Sequence, residues 1–225
     1  MLIAAVSAHG IDDAIFQVAN ALEVPVLLLA LFALVAVVFE LGGFVVESRS
    51  RRRQIVDLDQ IATAAEEAVR SGERRRAGEI LAPLSRSAAM TRALAAIARQ
   101  AGRPGAEHRL NKALADFDFD AQRRLARTRV LVRAGPALGL MGTLIPLSPA
   151  LTGLAQGNIA RLSQDLRVAF SVTVLGLLVG AVAYALSLYR DRMYGSDLSD
   201  LEFVAAVVND GASVADSSGA EVDAR

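Results

Sequence analysis

Two uncharged stretches, residues 134–155 and 168–189, are each 22 residues long. At about 1.5 Å of rise per residue, roughly 20 helical residues cover the ~30 Å hydrocarbon core of a bilayer. A further stretch, residues 24–46, is interrupted only by Glu40. Runs of this length leave few folds open, because lipid offers no hydrogen-bond partner and the backbone must satisfy itself within the segment. The expectation is an all-α, polytopic membrane protein with three transmembrane helices and a helical cytoplasmic loop domain. A mean hydropathy of +0.39 agrees.

Arginine placement sets the expected orientation. Arg49, Arg51, Arg52 and Arg53 follow the first span, Arg123, Arg124, Arg127 and Arg129 precede the second, and Arg190 and Arg192 follow the third. The segment before the first span has no Lys or Arg, and the hairpin between the last two spans has only Arg161 and Arg167. By the positive-inside rule the N-terminus and hairpin are outside, and the large loop and C-terminus are cytoplasmic; the membrane expected to hold the chain is the plasma (inner) membrane. The first charges are Asp12 and Asp13, with no basic leader, so the first span is expected to act as its own uncleaved insertion signal.

The organisation read from these patterns begins with an outer-face segment, residues 1–23. There Ile11, Ile15, Val18 and Leu22 recur at helical spacing, as on a helix lying in the membrane surface or in a polar leader to the first span. Residues 24–46 form the first span. Residues 47–129 are rich in Ala, Arg, Glu and Leu, good helix formers, with breaks at Ser71-Gly72, Pro83 and Gly102–Gly105. The last helix of this loop domain, from about Ala106, is expected to run directly into the second span, residues 130–155. A hairpin (156–166), the third span (167–189) and an acidic cytoplasmic tail (190–225) follow. From Gly195 the tail holds seven acidic residues and one Arg; residues 197–208 read as a short amphipathic helix and those beyond Asn209 as disordered.

Several functions are excluded or disfavoured. Net charge is zero, so no general affinity for nucleic acid is implied. There is no cysteine, which removes thiolate catalysis and Cys-ligated metals, and the histidines, His9 and His108, are far apart. No GxxxxGK[ST] loop occurs. Neither a cofactor nor an enzymatic activity is expected.

The last two spans carry matched stripes. In the second, Gly135, Gly139, Gly142, Pro146, Pro149 and Gly153 step four, three, four, three, four, and in the third Ala169, Thr173, Gly176, Gly180, Ala183 and Ser187 do the same. That spacing keeps one face of each helix on a neighbour, and small residues are how membrane helices approach closely. Gly139, Gly142, Pro146, Gly176 and Gly180 are the candidate packing residues. Packing alone does not ask for Pro146 and Pro149 together, since each removes a backbone donor and frees a carbonyl. Thr143 and Thr173 are the polar side chains on or beside these faces. A membrane threonine commonly hydrogen-bonds its own backbone. Two on facing stripes also suit a polar track, in which hydroxyls order water or assist a proton. Neither span contains an acid, so such a pathway needs a carboxylate from another chain.

The run Gly139-Leu-Met-Gly142-Thr143, followed by a hairpin and Thr173-Val-Leu-Gly176-Leu, resembles the MotA/TolQ/ExbB proton channel family over roughly residues 105–192. Three spans are similar to its TolQ/ExbB arm rather than the four-span MotA arm. The resemblance implies a homopentamer around a dimer of a single-span partner similar to ExbD, TolR or MotB, whose membrane Asp carries the proton. It also implies that Thr143 and Thr173 are the pore-facing threonines. The chain departs from the pattern at Val168, where ExbB-like proteins carry Glu, and in its Pro146/Pro149 pair.

Glu40 and Arg133 are charges set inside the ends of the first and second spans. A carboxylate there is costly and is usually paired or functional. An ion pair between the two, a proton-exit relay, or contact with a partner or lipid headgroup are the open readings. The expected function is a proton-channel subunit of a proton-motive-force-driven energiser; the alternative is a non-conducting scaffold or permease subunit whose stripes serve packing only.

Overall fold

A computed structural model describes the backbone of residues 2–51 and 57–222, and the side chains of residues 10–11, 14–49 and 57–211. Arg52, Arg53 and the side chains of His9, Asp12, Asp13 and Arg51 lie outside the described residues. The described chain is helical throughout: α1 (Leu2–Ala21), α2 (Glu23–Arg51), α3 (Leu58–Arg70), α4 (Arg74–Leu81), a 3-10 turn (Ala82–Leu84), α5 (Ala88–Gln100), α6 (Ala106–Ala155) and α7 (Ile159–Val222). The all-α expectation holds. Helices within Ala14–Arg49, Ala106–Ala155 and Ile159–Gly211 are long and apolar enough to cross a membrane.

Two compact units divide the chain: residues 1–43 with 127–187, and residues 44–126 with 188–225. In the first, α1 and α2 are separated by a break at Leu22, just before Pro25, whose ring nitrogen cannot donate to the preceding turn. Ile11, Ile15 and Val18 of α1, and Leu22 at the break, are all exposed. On α2, Val26, Ala30, Ala33 and Val37 are buried one or two turns apart, and Ala33 and Val37 pack with Val179 and Ala183 of α7. The other sides of α2 present Leu28, Phe32, Val35 and Phe39 outward.

The α6–α7 turn is short because Gly157 takes a positive φ of 78°. Gly157 N–H then bonds to Leu154 O and Asn158 N–H to Gly153 O, both at 2.9 Å, which closes the last turn of α6. The side chain of Asn158 at once caps α7 by accepting from Arg161 N–H at 3.0 Å.

In the second unit, α3 and α5 start at side-chain caps: Asp57 accepts from Asp59 and Gln60 N–H, and Ser87 from Met90 N–H. Ala62, Ala65 and Val69 of α3, Leu81 of α4, Met90, Leu94 and Ile97 of α5, and Leu110 and Phe117 of α6 form one core. The breaks fall where Gly72, Pro83 and Gly102–Gly105 place them, and α6 begins at Ala106.

The segment read as a separate acidic tail is different. Helix α7 continues unbroken through it, and Leu201, Val204, Ala205 and Val208 are buried in the same core. Asp197 is 1 % exposed and lies 2.9 Å from Arg86, which also reaches Asp200 at 2.7 Å. The backbone stays helical to Val222, where disorder was expected beyond Asn209. The docking of 201–208 has a physical reason: apolar residues at i, i+3, i+4 and i+7 are enough to seat a helix when a partner face is present.

Candidate functional site: a close-packed seam between two long helices

Within the first unit, α6 and α7 meet along the two stripes. Gly135, Gly139, Gly142, Pro146 and Gly153 are buried on α6, and Ala169, Gly176, Gly180, Ala183 and Ser187 on α7. The backbones nearly touch. A methyl group added at Gly135 would lie 2.6 Å from Gly176 O and 2.7 Å from Gly180 N. One added at Gly176 would lie 2.7 Å from Gly139 Cα. At Gly139 the nearest atoms would be Cα and O of Thr173, both at 3.3 Å. At Gly142 the obstacle is instead the side chain of Val172. Small residues at Gly135, Gly139 and Gly176 are thus required by backbone proximity, the usual basis of helix association in lipid.

The prolines fit the same seam. Pro136 removes the donor that Val132 O would receive, and the ring sits where a methyl at Gly180 would be 2.8 Å from its Cδ. Gly180 therefore accommodates the ring, a pairing that sequence spacing alone did not single out. Pro146 and Pro149 free the carbonyls of Gly142 and Ile145 in the same way, and α6 nonetheless remains helical through all three prolines.

The threonines behave differently from each other. Thr143 is half-buried and its hydroxyl donates to Leu140 O at 2.8 Å, within its own helix. Thr173 is half-buried in the seam; its hydroxyl donates across to Gly139 O at 3.2 Å and within α7 to Ala169 O at 3.3 Å. Both hydroxyls keep lone pairs that can accept from water or a partner. Val168 is exposed, off the buried stripe.

Glu40 lies on α2 one turn past Val37, half-buried and engaged in a polar or electrostatic contact. Arg133 is exposed on α6. Thr128, fully buried just before the second span, is a further polar group that sequence reasoning did not mark. Its signal was present as a lone hydroxyl among arginines, but nothing in the spacing distinguished it from a solvated residue.

The fold and seam define a polytopic membrane protein in which two long helices cross the membrane as a tightly packed hairpin. A model of the MotA/TolQ/ExbB proton channel family matches residues 79–201. That is more than half of the chain, which belongs to this family. The match is wider than the residues 105–192 that carry the resemblance, taking in α5 and α7 as far as Leu201. No curated protein matches the chain.

Proposed function

We propose that the chain is the channel subunit of a proton-motive-force-driven energiser of the TolQ/ExbB kind. In this reading it assembles as a homopentamer in the plasma membrane, around a dimer of a single-span, ExbD/TolR/MotB-like partner. The observation that carries the reading is Thr173: a hydroxyl held between two helices whose spans contain no acid. A hydroxyl can pass a proton but cannot store one as a charge near neutral pH, so the storing carboxylate belongs to another chain. Three candidate spans favour the TolQ/ExbB arm. Arginine placement favours an outside N-terminus with the loop domain and α7 beyond residue 190 in the cytoplasm. Proton passage would change the complex mechanically and drive work on a component outside the membrane.

One observation favours a second reading. Both threonine hydroxyls already donate to backbone carbonyls, so the seam is self-sufficient as packing. A non-conducting scaffold or permease subunit would need no more. Purification in mild detergent followed by mass measurement separates the two. The channel reading expects a co-purifying single-span protein with an intramembrane Asp, and proton flux on reconstitution. A lone oligomer without flux would establish the scaffold.

A further inference from the structure

Three of the six prolines lie inside α6 and none in α7. The seam between these helices changes character along the three. Away from the hairpin it is backbone against backbone: Gly176 and Gly180 have their nearest neighbours among residues 132–139, and the Pro136 ring is seated there against Gly180. Toward the hairpin only side chains make the closest approach, Val172 at Gly142 and Arg161, no nearer than 3.6 Å, at Gly153. Pro146 and Pro149 fall in this looser half, and each deletes one helical N–H···O bond, to Gly142 O and Ile145 O. Past them α6 is held again, because the tight turn at Gly157, closed by the bonds to Leu154 O and Gly153 O, ties its end to the start of α7. A helix fixed at both ends and missing two bonds between them yields there first, and sharp bends in helices fall at proline. The structure shows the closed arrangement, with Ala150 fully buried and Val172 6 % exposed.

We infer that α6 bows about Pro146 and Pro149, opening the hairpin half of the seam while the half built on Gly135, Gly139 and Gly176 stays locked. The motion breaks little main-chain bonding, since the carbonyls of Gly142 and Ile145 have no helical N–H to lose, and the contacts that separate are between side chains. It reaches as far as Thr173, whose hydroxyl bonds to Gly139 O at 3.2 Å at the edge of the lock. The use of the bow rests on the proton-channel reading above. Opening admits water from the hairpin side to the Thr173 hydroxyl, the lock stops it there, and α6 gates proton entry. Gating motions of this kind turn on a few residues that absorb the change while the elements around them stay rigid.

The test uses the full-length complex, with whatever partner it carries, in vesicles. The chain has no cysteine, so Val172→Cys and Val179→Cys each introduce its sole thiol. The first lies opposite Gly142 in the looser half; the second, 1 % exposed, packs with Ala33, Val37 and Ala183. A charged methanethiosulfonate present on both sides of the membrane reacts only where water reaches, and labelling is read by mass on this chain. Val172→Cys is expected to label and Val179→Cys to stay unlabelled over the same time. Adding Pro146→Ala and Pro149→Ala restores both helical bonds, and labelling of Val172→Cys is expected to slow several-fold, with proton flux falling alongside. No labelling of Val172→Cys, or a rate that the two alanines leave unchanged, overturns the bow; equal labelling at both positions overturns the lock. Should the double proline variant fail to assemble, Pro149→Ala alone, which restores one bond, decides by the same rate. If labelling follows the prolines while the parent complex carries no protons, the channel reading fails and the bow stands.

Discussion

Thr173 donates its hydroxyl to the carbonyl of Gly139, 3.2 Å away on the facing helix. In an α-helix that carbonyl also receives the N–H of Thr143, four residues on. The two threonines of the seam are therefore linked through one backbone oxygen, although their side chains have different partners.

Replacing Thr173 by Val keeps the shape and removes this cross-helix bond. A loss of about 0.6 kcal/mol, and no more than about 1.7, is expected from hydrogen bonds between membrane helices. Assembly should survive, while proton flux in vesicles should fall in Thr173→Val and fall further with Thr143→Val added. Full flux in the double variant would reduce the hydroxyls to packing.

The glycines divide by what blocks a side chain. Gly176→Ala meets backbone atoms of Gly135 and Gly139, which cannot move aside, so no single neighbouring truncation should restore it. Gly142→Ala meets the Val172 side chain, so Val172→Ala should recover much of the loss. Larger replacements, Gly139→Leu or Gly180→Leu, should disrupt the hairpin or oligomer outright. Oligomer size by gel filtration, with flux, checks all of these; normal complexes from the Leu variants would mean that the glycine face meets lipid.

Arg86 ties the loop before α5 to Asp197 and Asp200 of α7 within the second unit. Asp197 is almost fully buried, so Arg86→Ala leaves a buried carboxylate without this cation. A destabilisation of about 3–5 kcal/mol is expected for breaking such a pair from one side. Asp200→Asn, with its partner's second bond intact, should cost less. Thermal unfolding of the detergent-solubilised protein would show the order; equal, small effects would make the fork a surface pair.

Glu40 is half-buried and has a polar partner, so Glu40→Leu should destabilise by stranding that partner. The double variant Glu40→Leu/Arg133→Leu identifies it. Recovery relative to the single change assigns the ion pair to Arg133, whereas losses additive to within about 0.5 kcal/mol assign it elsewhere. Normal stability with low flux in Glu40→Gln would instead mark a proton relay.

Much of this protein was settled by one-dimensional pattern. The uncharged runs at 134–155 and 168–189 compel helices because lipid leaves the backbone no other partner. The four-three spacing of small residues names the α6–α7 faces, and those faces are buried as it implies. Gly72, Pro83 and the Gly102–Gly105 turn mark the ends of the loop helices through their own backbone chemistry, without reference to anything distant.

What the tertiary structure decided is which polar groups find partners. Thr143 and Thr173 are alike in sequence context, yet only Thr173 reaches the facing helix, because the depth of its side chain in the seam depends on how closely Gly139 and Gly176 let the backbones approach. The stretch 197–208 reads as a short amphipathic helix in a separate tail, and only the packed chain shows what its apolar side meets: α3, α5 and α6 supply a core in which Leu201, Val204 and Val208 dock, and Asp197 is buried against Arg86. Periodicity reports which way a residue points along its own helix, whereas burial and pairing depend on residues distant in sequence, and only the packed chain brings those together.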